Sequence, residues 1–287
     1  MDTTSLGKNQ NKSGLYFVGT PIGNLEDMSF RGVKTLESCD LILCEDTRHS
    51  RKLLTHFGIK KPLYSYNDHN GMNMRPKVAQ WLSEKKRVGL ISDAGMPVIS
   101  DPGYQLVALC QEKNFYYTVI PGPSAVLCGL VLSGLPPNQF FFAGFLPKKD
   151  SDCKKFVKTL KTIPASLIFY LSPHRFREHL SVLFDELGNR HVAIVREISK
   201  VYEEKITGSL ADLISKYTHE NAPLGELVLV IEGYEKPMDS LEDCQNYLKD
   251  ILNHTSPSVA IKQAREQFNL PRNQIYQIAL RLKGTDT

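Results

Sequence analysis

The sequence predicts an α/β fold in two domains, with parallel or mixed sheets flanked by helices and a small helical C-terminal segment. Three observations carry this. Short runs rich in Val, Ile, Leu, Phe and Tyr alternate with longer amphipathic runs. The short runs are nearly continuous in apolar residues, as strands covered on both faces are. The segment Ser133 to Asn138 (SGLPPN) interrupts the pattern, and strands restart after it.

The first strand set reads Leu15–Thr20, Leu41–Cys44, Val88–Ser92 and Tyr116–Ile120. The second reads Gln139–Phe145, Ser166–Leu171, His191–Arg196 and Leu227–Glu232. Asp27 or Ser29 can cap a helix running to Glu37, and Thr47 one running to His56. Asp101-Pro102-Gly103 opens another, to about Lys113. From about Asp239 no strand signal remains. Pro257 to Phe268 and Pro271 to Lys283 read as two short helices with Pro in the first turn. The expected division is a flexible start at 1–13, α/β domains at 14–134 and 135–238, and a helical segment at 239–287.

With 287 residues, 41% hydrophobic and 23% charged, the chain has too much apolar material for disorder. It has no apolar stretch of spanning length and no apolar secretory core before Ser13. Six cysteines without a C-x-x-C pair predict free thiols, no metal site and a reducing cytoplasm. The net charge of +4 does not itself announce a nucleic-acid partner. Its distribution is more informative. Residues 143–162 hold six lysines, Lys148 and Lys149 among them, against two aspartates. Residues 255–283 hold Lys262, Arg265, Arg272, Arg281 and Lys283 against Glu266. Such clusters suit phosphate contacts, although a solvated helix face has the same composition.

The informative residues lie at strand ends. Glycine- and proline-rich turns follow the first, third and fourth runs: Gly19 to Leu25 (GTPIGNL), Ser92 to Gly103 (SDAGMPVISDPG) and Pro121 to Ala125 (PGPSA). Ligands of open α/β sheets bind outside the carboxyl ends of strands, so three such turns can line one cleft. Ordinary turns are the plainer reading. Neither G-x-G-x-x-G nor a phosphate-binding P-loop is present, and Ser124 does not sit in G-x-S-x-G. Two polar loops concentrate ionisable groups, Glu45 to His49 (EDTRH) and Asn67 to Asn70 (NDHN). Asp46 or His49 is a candidate base and Arg48 a candidate phosphate ligand. The alternative has Asp46 capping the next helix and Arg48 paired with Glu45. Asp68 is a further candidate, against a role in an Asx turn. His174 and Arg175 can meet an RNA backbone or simply start a solvated helix.

These pieces, with Gly144 to Pro147 (GFLP), Ser172 to Arg175 (SPHR) and Gly225 to Gly233 (GELVLVIEG), are collinear over about residues 14 to 233. The ordered set resembles the tetrapyrrole methylase superfamily of S-adenosylmethionine (SAM) methyltransferases, and within it the branch acting on ribosomal RNA. The resemblance implies a two-domain enzyme, usually a homodimer, with SAM in the cleft between domains. It implies 2′-O-methylation of a decoding-centre cytidine in 16S rRNA of the small ribosomal subunit. It puts SAM contacts at Pro21, Ile22, Gly23, Asp93, Ala94, Gly95, Met96, Pro97, Ile99, Ser124, Ala125, Tyr170 and Leu171. Leu171 stands where relatives often carry Glu, and Met96 where Thr or Ser is common. The RNA candidates are Arg48, Arg51, Lys148, Lys149, His174, Arg175, Lys262, Arg265 and Arg272. Two rivals remain at this stage, a methylase of a tetrapyrrole or other small molecule and a catalytically idle RNA-binding or ribosome-assembly module.

Overall fold

The structure, a computed structural model, describes residues 12–218, 221–236 and 238–284. It divides into two compact units, 1–233 and 234–287.

The first unit is built on two five-stranded sheets. One is entirely parallel, in the order β3-β2-β4-β1-β5, from β1 (Gly14–Val18), β2 (Leu41–Cys44), β3 (Leu63–Ser65), β4 (Arg87–Ile91) and β5 (Tyr117–Ile120). The central strands are buried along their length because helices cover both faces. These helices are α1 (Phe30–Ser38), α2 (Thr47–His56), α3 (Gly71–Ser83) and α4 (Tyr104–Glu112). Ser29 caps α1 by accepting from the Gly32 amide, as its sequence position predicts. The cap of α2 is Asp46 rather than Thr47, which is its first helical residue.

The second sheet has the order β6-β7-β10-β8-β9. Its strands are β6 (Phe140–Phe145), β7 (Ser166–Leu171), β8 (His191–Arg196), β9 (Glu204–Ser209) and β10 (Leu227–Ile231). Only β6 and β7 run parallel. Helices α6 (Asp150–Thr159), α7 (Phe176–Leu187) and α8 (Leu210–Lys216) carry residues of its largest buried cluster, around Phe169, Phe176, Leu180 and Leu229. Helix α5 (Ala125–Ser133) follows the last strand of the first sheet yet packs on the second, beside β8 and β10. A Cβ at Gly129 would come within 2.6 Å of Val228 Cγ1, so a glycine there lets the helix approach the sheet closely. Val126 and Leu130 form a separate buried cluster with Ile168, Val195 and Val230 of the second sheet and Ile22 from the turn after β1, which ties the two sheets into one body.

The second unit is three helices, α9 (Leu241–Leu252), α10 (Pro257–Gln267) and α11 (Arg272–Gly284). They enclose a small core of Cys244, Leu248, Ala260, Ala264, Ile275 and Ala279. The basic positions Lys262, Arg265 and Arg272 are exposed on α10 and α11.

Two strands escape the sequence pattern. β3 has three residues, and β9 carries Glu204 and Lys205 on an exposed edge. Short and charged edges are how sheets avoid pairing with other chains, and they erase the apolar signal.

Candidate active site

The three glycine-rich turns meet. Thr20 and Gly95 exchange backbone hydrogen bonds of 2.9 and 3.1 Å, joining the turn after β1 to the loop after β4. The buried Thr20 hydroxyl donates to the carbonyls of Ser92 and Gly95. The turn after β5 is held by backbone contact, since a Cβ on Gly19 would lie 2.7 Å from Gly122 Cα and 2.8 Å from Met96 Sδ. Gly95 has φ +77, a region costly for other L-residues. Val98 and Ser100, in the same loop, also have left-handed backbone, at φ 78 and 65. A β-branched residue there is a strained outlier of the kind found where a loop is fixed for binding.

Against these turns lies the second sheet. Antiparallel pairing sets Leu227, at the start of β10, opposite Leu171, at the end of β7. A cleft of about 420 Å³ opens between the two sets of loops. It is lined by Ile22, Asp93, Ala94, Gly95, Met96, Ile99, Ser124, Ala125, Tyr170 and Leu171, ten of the thirteen positions expected from sequence. Pro21 and Gly23 line a neighbouring cleft of about 320 Å³, with His49, Lys52 and Lys200. Pro97 lines neither. Sequence reasoning missed Ser100, Asp101, Phe145, Ser172, Pro173 and Gly225 to Val228. Asp101, Gly225 and Glu226 lay within quoted motifs, but only the pairing of β10 with β7 brings 225–228 to the cleft.

The electrostatics of the cleft are one-sided. Asp93, Asp101 and Glu226 line it with no lysine or arginine among the lining residues, and Phe145 and Tyr170 contribute aromatic faces. Their rings are 5.2 Å apart between centroids. Burial, with Asp101 and Glu226 nearby, pushes the Tyr170 phenol up to about 12, so it stays protonated. Glu226 is fixed by an ion pair to Lys200 at 3.2 Å and by its amide donating to Glu197 Oε1 at 2.8 Å. A cleft of this sign repels phosphate and welcomes a positively charged ligand.

Asp101 is the most perturbed carboxyl here. Burial, with Glu45 and Asp93 adding to it against a hydrogen bond to Ser92, pushes its pKa up to about 6 from an ordinary 3.8. The folded protein thus holds this proton more tightly than the unfolded chain. Stability from the neutral form is complete below about pH 4 and is lost as pH rises through about 6. Asp101→Asn should therefore be more stable than the parent at pH 8 by about 1 kcal/mol, with the shift discounted for a partly solvated carboxylate. Urea unfolding at pH 8 and pH 4 checks this: the gap should close at pH 4, and a gap equal at both would assign the effect to something other than ionisation.

The polar loops are arranged differently from one another. The Asp46 carboxylate accepts from the Arg48 amide at 2.8 Å and pairs with the exposed Arg48 guanidinium at 2.9 Å. The Arg48 side chain and amide hold its carboxyl down to about 2, which makes it a weak base. Arg48 thus pairs with Asp46, not Glu45. The Asp46 amide donates to Asp93 Oδ1 at 3.3 Å, linking the loop to the cleft. His49 is exposed beside Pro21 and Gly23. The Asx-type bonds of the second loop are made by Asn67 and Asn70, not Asp68. Arg51, Lys148, Lys149 and His174 are exposed, and Arg175 pairs with Asp150. Lys154, Lys155 and Lys158 extend the basic face of α6.

A parallel sheet whose loops face a second sheet across an acid-lined cleft defines an α/β enzyme that holds its ligand at strand carboxyl ends. The family model "Tetrapyrrole (Corrin/Porphyrin) Methylases" matches residues 14–214. Ribosomal RNA small subunit methyltransferase I of Halalkalibacterium halodurans is 40% identical over 281 residues, covering 96% of this chain and 97% of its own. The protein of that name from Thermotoga maritima is 42% identical over 221 residues, 77% of this chain and 99% of its own. Among solved structures, uroporphyrin-III-C-methyltransferase from Thermus thermophilus superposes with a TM-score of 0.56 at 18% identity, covering 76% of this chain and 94% of that one. The chain belongs to the tetrapyrrole methylases, and within them to the ribosomal RNA small subunit methyltransferase I family; it is a methyltransferase.

Proposed function

We propose that the chain transfers a methyl group from SAM to the ribose 2′-hydroxyl of a decoding-centre cytidine in 16S rRNA. The observation that carries the reading is the sign of the cleft, with three carboxylates, two aromatic rings and no basic side chain lining it. That donor set fits a ligand whose reactive centre is a positive sulfur. Bound SAM supplies a methyl carbon on that sulfonium, whose C–S bond breaks as the new O–C bond forms, the electron pair going to sulfur. Ile22, residues 93–96, Ile99, Ser124, Ala125 and the pair Tyr170–Leu171 hold it. The chain's main task is alignment, because an acceptor positioned about 3 Å from the carbon captures most of the entropic gain. RNA affinity comes from elsewhere, from the basic faces of α6, α10 and α11 and from Arg48, Arg51, His174 and Arg175 around the polar loops.

The test is incubation with labelled SAM and either small subunits or naked 16S rRNA from a strain lacking the modification. Label in a single ribose is expected. Label only in an added porphyrin would turn the assignment to a small-molecule methylase, and SAM binding without transfer to an idle RNA-binding module. The substrate implies the cytoplasm, and no helix among the described residues is long and apolar enough to cross a membrane.

The functional unit is a homodimer. Three consecutive elements expose large apolar side chains, Val119 on β5, Leu127 and Val131 on α5, and Phe140, Phe141 and Phe145 on the edge strand β6. A second copy is the fitting cover for apolar surface of this extent. Val131→Glu, at a position 76% exposed in one chain, should halve the mass measured by light scattering with the fold intact. An unchanged mass would move the interface elsewhere.

A further inference from the structure

A cleft of about 450 Å³ lies between α3 and α4, and Asp101 lines both it and the acid-lined cleft. The cofactor reading leaves this second cleft unused. Two large apolar side chains stand exposed on its rim, Met72 and Tyr104. Between them, Arg75 donates to Gln105 Oε1 at 2.6 Å and has further N–H groups to offer. Asp68, which also lines the cleft, sits on a loop locked by reciprocal bonds, with Asn67 donating its amide to Asn70 Oδ1 at 2.9 Å and Asn70 its amide to Asn67 Oδ1 at 3.2 Å. Among the described residues no hydrogen bond holds the Asp68 carboxylate itself.

Resting on the function proposed above, we infer that this cleft is the subsite for the target nucleoside. The base stacks on Tyr104, Arg75 and Asp68 read its edge, and Asp101 receives the 2′-hydroxyl proton in the wall shared with the cofactor cleft. The read-out chemistry selects cytosine. Its N3 and O2 accept from a guanidinium, and its N4 amino group donates to a carboxylate. Uracil offers N3–H and O4 at those places, setting donor against donor and acceptor against acceptor. An exposed aromatic ring beside a cleft is the usual platform for a base taken out of its stack.

Asp101 is placed and tuned for its part. The proton leaves the ribose oxygen for the carboxylate as that oxygen bonds to the methyl carbon, and Asp101 later returns it to solvent. A pKa near 6 leaves the carboxylate largely ionised at neutral pH yet basic enough to take a proton. The charged and titratable groups around it are Glu45 and Asp93 from the ends of β2 and β4 and the Tyr170 hydroxyl from β7, and Arg75 shares the lining of the second cleft with it.

The test combines binding with turnover. Affinity is measured, without SAM, for a synthetic RNA fragment carrying the target cytidine and for one carrying uridine there. The parent should prefer cytidine at least tenfold, and Asp68→Asn should erase that preference, since an amide donates as well as accepts. Tyr104→Ala should weaken both RNAs at least tenfold with SAM affinity unchanged. Both substitutions are at exposed positions, so folding is not at risk. Asp101→Asn should keep RNA affinity, lower kcat about a hundredfold and abolish its rise with pH near 6. Variants that bind, discriminate and turn over like an active parent would overturn the subsite and leave the proposed function standing. A parent that labels no ribose would remove both.

Discussion

Alanine at Gly19 will cost about 2–3 kcal/mol of stability and about a hundredfold in kcat/KM. The added Cβ would lie 2.7 Å from Gly122 Cα, 2.8 Å from Gly122 N and 2.8 Å from Met96 Sδ. The sulfur can swing away, but the two backbone atoms cannot. Gly122 is held there because Gly19 itself donates to the Ile120 carbonyl at 3.0 Å. Relief therefore requires the turns after β1 and β5 to separate, and these turns contribute Ile22, Ser124 and Ala125 to the acid-lined cleft. Misplacement by about an ångström is enough to lose two orders of magnitude in an aligned reaction. Gly32→Ala is the matched control. Its Cβ would meet side chains rather than backbone, Met28 Cε at 2.9 Å, the capping Ser29 Oγ at 3.0 Å and Val18 Cγ1 at 3.4 Å, and Ala is the better helix former. Urea unfolding and single-turnover methylation on both variants decide the matter. If Gly19→Ala behaves like Gly32→Ala, backbone contact is not what holds the turns together.

Removing the charge of the C-terminal helices will weaken RNA binding roughly ten- to hundredfold at physiological salt and lower the log–log salt slope by about three. SAM affinity should not change. The 234–287 unit has its own core, and its charges are unevenly spread: α9 carries Glu242, Asp243 and Asp250 against Lys249, while α10 and α11 carry five basic residues against Glu266. Whole-unit deletion would therefore remove both signs at once. The sharper variant is the triple change Lys262→Gln, Arg265→Gln and Arg272→Gln, all at exposed positions. The Thermotoga maritima relative matches 221 residues over 99% of its own length, a span the size of the first unit. The triple variant is therefore expected to lose RNA affinity and to keep its methyl-transfer chemistry. Unchanged RNA affinity and salt slope in the triple variant would take them out of the RNA footprint.

Much of this was legible in the chain. Apolar runs such as 15–18 and 227–231 are buried on both faces, and such strands announce themselves without any period. The three turns stood out through their glycines and prolines, and they converge because β1 lies next to both β4 and β5. What sequence order could not supply was the antiparallel insertion of β10 between β7 and β8, which delivers Gly225 to Val228 to the cleft. Helix α9 lies inside the segment expected to be helical, 239–287, but the sequence delimits only α10 and α11 there, because proline marks their starts while α9 opens on a Ser240 cap and acidic residues. Asp46 and Asp101 show the same limit in charge. Both are aspartates beside polar loops, yet an exposed guanidinium holds one down to about 2 and burial lifts the other to about 6. Residue type sets the ordinary value, and only the neighbours decide which aspartate can act as a base.

The strand order also sets a timetable. β1 is the first strand made, but its partners Val88 and Tyr117 lie far along the chain from Leu15. Contacts of such separation are slow to form, and the strand that needs them is apolar along its whole length. During synthesis β1 can pair with β4 first, and it is flanked on both sides only once β5 has emerged. The turns after all three strands can come together only when both neighbours of β1 are in place. The binding cleft is therefore a late product of assembly, and a nascent chain halted before residue 120 carries an adhesive strand and no working site.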